Sequence, residues 1–148
     1  MNPRPFVWTA GVILILIGIA GFIPPLAPVE SDPLRVAAGV GGAQLFGLLP
    51  VSPVLNVLHL ALGGWAIYSG RRLARSVRFA RRSAFIFAAL TIMGMVPGAD
   101  TLFGGGPLYG NNILLHGLLA LLSFLFGWLY RRPVAVTEPV EPETARVA

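Results

Sequence analysis

The chain has no cysteine and no lysine, six acidic residues, and two histidines in 148 residues. Without thiols there are no disulfides, no Fe–S clusters and no thiolate-held zinc. Charged residues make up 11% of the chain, against roughly 25% in an ordinary soluble domain. All eleven basic residues are arginine, and there are 18 glycines and 13 prolines. That usage fits a GC-rich bacterial genome, which bears on origin and not on mechanism.

The charges are also segregated. No Asp, Glu, Lys or Arg occurs in 6–23, 54–69, 84–96 or 113–130. The hydrophobic fraction is 55% and the mean hydropathy +0.76. A charge at the centre of a bilayer costs roughly 2.5–3.5 kcal/mol on insertion scales, so lipid would enforce such gaps. The composition predicts an integral membrane protein, all-α, with spans at about 6–23, 53–70, 83–97 and 112–130. Residues 1–132 form one transmembrane domain in this reading. The first run follows Met-Asn-Pro-Arg and resembles a signal peptide in position. Pro24-Pro25 follows it in place of a small-x-small cleavage site, which favours an uncleaved span. Ser52-Pro53 is an N-cap and first-turn pair that should open the second helix. The third helix is recognisable up to Pro97-Gly98, and its start falls near or within the arginine stretch.

Six of the eleven arginines (Arg71, Arg72, Arg75, Arg78, Arg81 and Arg82) fall between the second and third apolar runs. Arg4, Arg131 and Arg132 flank the ends. The two opposite loops hold Arg35 against Glu30, Asp32 and Asp100. The positive-inside rule then puts both termini and the arginine stretch in the cytoplasm of a bacterial inner-membrane protein. That rule also accounts for the pI near 11.1 without nucleic acid as a partner. Besides fixing topology, the stretch can bind anionic lipid head groups, at about 1 kcal/mol per arginine near the surface, or dock an acidic cytoplasmic protein.

A pattern occurs twice. Leu45-Phe46-Gly47, Pro50 and His59 recur 57 residues on as Leu102-Phe103-Gly104, Pro107 and His116. Asn56 lies three residues before His59, and Asn112 four before His116. Arg71-Arg72 closes the first copy and Arg131-Arg132 the second. The expected architecture is a four-helix bundle of two directly repeated helical hairpins, about 5–72 and 80–132. Each copy holds one outward and one inward span, so the symmetry axis should follow the membrane normal. Residues 36–49 contain fourteen uncharged positions, too short to span, and predict an interfacial or re-entrant helix on the outer face. A fifth span is the alternative, at the expense of the charge asymmetry. The tail, 133–148, lacks apolar periodicity and is expected to be disordered in the cytoplasm.

Small residues in the runs (Gly11, Gly18, Gly21, Gly63, Ala84, Ser123, Gly127) read as helix-packing positions. His59 and His116, with Asn56 and Asn112 on the same helix faces, are the candidate polar site. Three readings stay open. Each imidazole can bond its asparagine or a loop carbonyl and hold the outer loop over the bundle. The two can ligate the iron of a haem b from opposite faces. Or they can form a small-ligand or proton-linked site at the outer mouth. Two histidines alone are a poor zinc or other metal set. Gly104-Gly105-Gly106 is no phosphate loop, since no Gly-Lys-Ser/Thr follows. No catalytic constellation assembles. The expectation is a non-enzymatic structural, accessory or interaction protein without a cofactor, with the lipid bilayer, a second copy or another membrane protein as partners.

Leu45 to Pro50 with Asn56-Val57-Leu58-His59-Leu60, and Leu102-Phe103-Gly104 with Asn112-Ile113-Leu114-Leu115-His116, resemble the doubled signature of a family of small four-span membrane proteins. That family is defined only as a domain of unknown function and is common in actinobacteria and their relatives. The second copy departs from the pattern in its Asn-to-His spacing and in Gly117. The resemblance covers most of 5–130 and implies architecture, with no activity attached.

Overall fold

The computed structural model describes residues 2–30 and 42–129. Among the described residues four helices carry the fold: α1 (Pro3–Ala20), α2 (Pro53–Gly70), α3 (Leu73–Met95) and α4 (Asn111–Trp128). Each boundary has a local cause. Asn2 caps α1, its side chain accepting from Arg4 N–H at 3.0 Å, and Pro3 takes the first turn, where no amide is needed. Ser52 and Pro53 do the same for α2, with Leu55 N–H donating to Ser52 Oγ at 3.1 Å. At its far end α3 stops at Val96, whose backbone is extended (φ −102°, ψ 116°) because Pro97 follows.

The helix α3 begins at Leu73, well before the expected span start near 83, so the arginine stretch is mostly helical. Arginine is a good helix former. Only Arg71 and Arg72 break the chain between α2 and α3, and Ser76 Oγ donates across the break to Ser69 O and Arg72 O (3.1 and 3.2 Å).

The expected outer helix over 36–49 is overturned for its described part, while the fold remains mostly helical. Residues 36–41 of that segment, like the tail 133–148, lie outside the described residues. Instead β1 (Val29–Glu30), β2 (Gly42–Leu45) and β3 (Leu49–Pro50) form a small antiparallel sheet in that order. Val29 faces Ala43 and Leu45 faces Leu49. The reversal lies at Phe46-Gly47, both with positive φ (53° and 68°), as the tight hairpin turn requires. Leu48 N–H closes it onto Leu45 O at 3.0 Å. Leu45, Ala27 and Val51 are buried together against Ile17 and Ala20, which seats the sheet on the end of α1. An apolar run bounded by glycines reads equally well as helix or strand, and here cross-strand bonding won.

Packing is by pairs, α1 on α2 and α3 on α4, each antiparallel. Backbones approach closely at Gly11 and Gly63: a Cβ on Gly11 would lie 3.0 Å from Gly63 O, and one on Gly63 2.9 Å from Gly11 O. The buried positions of the two pairs correspond. Pro3, Val7, Ala10, Gly11 and Leu14 of α1 match Ser76, Ala80, Ser83, Ala84 and Phe87 of α3, always 73 places on. Leu55, His59, Leu62, Ala66 and Gly70 of α2 match Asn112, His116, Leu119, Ser123 and Gly127 of α4, always 57 places on. Aromatic contacts join the pairs: Phe6 stacks on Phe126 (4.8 Å) and Phe79 meets Trp65 edge-on (4.8 Å).

Candidate functional site

The two histidines meet. Their ring centroids are 5.7 Å apart with planes inclined by 48°, and both side chains are fully buried between α2 and α4. Phe87 of α3 lies nearly parallel to His116 at 6.0 Å. Leu14, Leu55, Leu62 and Leu119 complete the surrounding core. The pairing follows from register. Each histidine stands two turns into its helix on the inward face, at matching buried positions.

Hydrogen bonding divides the four site residues unequally. Asn112 Nδ2 donates to Pro50 O (2.7 Å) and to Pro107 O (2.8 Å), so one buried amide binds both connecting loops. Asn56 does not repeat this. Its side chain lies against Gly21, where any Cβ would collide with the amide, and neither Nδ2 nor Oδ1 has a partner. Both nitrogens of His59, both of His116 and Asn112 Oδ1 are likewise buried without a protein partner. The imidazoles thus bond neither to their asparagines nor to a loop carbonyl. Of these four residues, Asn112 is the one that holds the loops.

Two further residues belong to this end and escaped the motif reading. Asn111 Nδ2 donates to Leu48 O at 2.8 Å, and Ser52 Oγ to Gly105 O at 3.2 Å. Asn111 directly precedes the motif asparagine in the first turn of α4, where a side-chain amide readily reaches neighbouring loops. A cleft of about 360 Å³ opens beside these contacts, lined by Pro50, Val51, Ser52, Thr101, Pro107 and Tyr109 among others. Burial, and then the Asp100 carboxylate, raise the Tyr109 phenol above its usual pKa. The second Leu-Phe-Gly copy again has positive φ at Phe103 (53°) and Gly104 (89°). Among the described residues no group of three or more His, Cys, Asp or Glu could hold a metal ion.

The opposite end carries the arginines. Arg81 Nε donates to Gly127 O at 2.9 Å, with its guanidinium 5.6 Å from the Trp128 ring centre. Arg4 Nε donates to Gly70 O at 3.2 Å. A cation therefore sits on the carboxyl end of both α2 and α4, where the helix dipole favours it. Arg75 lies over the Tyr68 ring at 4.6 Å. Arg75, Arg78 and Arg82 line one cavity, while Arg71 and Arg72 stand exposed at the break.

Residues 4–129 match the family described as domain of unknown function DUF4383. The chain belongs to the DUF4383 family. The match covers all four helices of this DUF4383 chain, the histidine pair and both asparagines. No curated protein and no solved structure matches it. By length and composition, α1 and α4 of the DUF4383 chain are long and apolar enough to cross a membrane.

Proposed function

We propose that this DUF4383 protein is a four-span protein of the bacterial inner membrane, built from two directly repeated helical hairpins, with a non-enzymatic structural or accessory role. One observation carries the reading: the polarity of the helices is inverted. Asn56, His59, Ser83, Asn112, His116 and Ser123 are buried, while Val12, Leu16, Val57, Phe85, Ile92, Leu114 and Leu118 are exposed. Water would drive the reverse, and lipid tolerates exposed apolar side chains while confining polar ones to the interior. The helix α2 has 18 residues, about 27 Å at 1.5 Å per residue, close to a hydrocarbon thickness. Its polar residues face inward, which lets it span despite them. Matching buried positions at constant offsets support the repeat, and the arginine stretch supports a cytoplasmic centre facing anionic lipid. A second copy or another membrane protein is the expected partner.

Alkaline phosphatase fusions test this. Fusions after Val29 and after Asp100 should be active, and those after Arg72 and Arg132 inactive. Equal activity at all four sites, or a chain recovered in the soluble fraction, would overturn it.

The six unpartnered atoms of His59, His116 and Asn56 favour a second reading, a small polar ligand held in the core. Haem would require α2 and α4 to part, since the rings already lie 5.7 Å apart among buried leucines. A Soret band or stoichiometric metal in the purified protein, lost in both His59→Ala and His116→Ala, would establish a ligated cofactor. A colourless, metal-free preparation would count against it.

A further inference from the structure

We propose that Arg75, Arg78 and Arg82 form one site for the phosphate of an anionic phospholipid, distinct in role from the other three arginines of the stretch. The three are spaced to share a face of α3, and together they line a cavity of about 210 Å³. Trp65 and Phe79, packed edge-on at 4.8 Å, line it as well, beside Tyr68 and Ser69. Arg75 is half-buried and held over the Tyr68 ring at 4.6 Å, which orients its donor fork before any ligand arrives. Such a fork matches phosphate oxygens two at a time, which a lysine ammonium cannot do.

The cavity contains no anion of its own. No Asp or Glu lies between Asp32 and Asp100 in the sequence, and no acidic residue lines the cavity. Three guanidiniums gathered without a carboxylate repel one another unless an outside anion joins them. The remaining arginines are placed differently. Arg81 donates to Gly127 O, while Arg71 and Arg72 stand exposed at the break between α2 and α3 and do not line this cavity. The phosphate could come from a lipid or from solution. Lipid is the source we infer, because Trp65, Tyr68 and Phe79 line the same cavity and Leu73 and Phe85 of α3 are exposed. That choice rests on the membrane reading above.

The test uses the full chain purified in a nonionic detergent, with phosphatidylglycerol, phosphatidylcholine and inorganic phosphate as separate probes. Binding is read by native mass spectrometry and by tryptophan emission. The expected result is saturable binding of one phosphatidylglycerol per chain, with phosphatidylcholine weaker. Arg75→Gln/Arg78→Gln/Arg82→Gln should weaken it at least tenfold and Arg71→Gln/Arg72→Gln less than twofold. Arg75→Lys/Arg78→Lys/Arg82→Lys keeps the charge and should still lose threefold or more. Arg78→Gln alone, losing at least twofold, covers the case in which the triple variants do not fold. Equal losses in the two glutamine sets, unsaturable binding, or inorganic phosphate binding as tightly as the lipid would overturn the proposal. The fusion series reads membrane residence independently: correct topology with no phosphatidylglycerol binding sinks this site alone.

Discussion

Asn112 and Pro50 are 62 residues apart in sequence, and the amide of one donates to the carbonyl of the other at 2.7 Å. A second bond from the same nitrogen to Pro107 O makes Asn112 the fastening between both loops. Asn112→Leu removes the donor and leaves two loop carbonyls unpaired. The expected loss is about 1–3 kcal/mol, the cost of orphaned buried acceptors, read as a lower midpoint of thermal unfolding in detergent. Asn111→Ala, which removes one exposed bond, should cost well under half as much. Equal effects would contradict the assignment.

The His59 and His116 rings touch, so their removal should be non-additive. His59→Ala and His116→Ala each open a cavity in a closed core and should cost roughly 2–4 kcal/mol. The double variant should differ from the sum by about 0.5–1.5 kcal/mol, as expected for contacting residues. Strict additivity in unfolding free energy would mean that the rings do not meet.

Gly11 of α1 and Gly64 of α2 should behave oppositely. A Cβ at Gly11 would lie 2.9–3.0 Å from Ile67, Ala66 and Gly63 O, whereas one at Gly64 meets nothing within 4 Å. Gly11→Ala should therefore cost about 1–3 kcal/mol by forcing α1 off α2. Gly64→Ala should be neutral or gain up to about 1 kcal/mol from helix propensity. Thermal melts of the two single variants decide it.

The Tyr109 phenol is held above its ordinary pKa, first by burial and then by Asp100. In an ultraviolet titration of phenolate, Tyr109 should ionise after an ordinary tyrosine. Asp100→Asn should bring it back only partly, because burial is the larger cause. The sign for stability follows. The folded state holds this proton more tightly than the unfolded chain, so the contribution is complete below the unfolded pKa of about 10. It is lost as pH rises through and beyond that value. A titration unchanged by Asp100→Asn would remove the carboxylate from the account.

Much of the helical frame was legible because its signals are local. Asn2-Pro3 and Ser52-Pro53 mark helix starts through their own side chains, and Pro97 ends α3 by sterics alone. The matched positions of His59 and His116 in a repeated motif left open whether the two meet, which depends on how the helices pack. Three features resisted. The strands around Phe46-Gly47 depend on partners at Val29 and Leu49, and an uncharged run does not announce its partners. The starting residue of α3 was open, since a run of arginines near or within which the helix should begin marks no single first turn. The division of the arginines was invisible, since only packing shows that Arg81 reaches Gly127 while Arg75 turns to Tyr68.

The two asparagines stand one residue out of step relative to their histidines, and that single offset removes the equivalence of the halves. One amide is committed to fastening loops; the other is pressed against Gly21 with nothing to hold. A bundle made of two first hairpins would therefore lack the amide that ties Pro50 to Pro107, and the second hairpin alone supplies it.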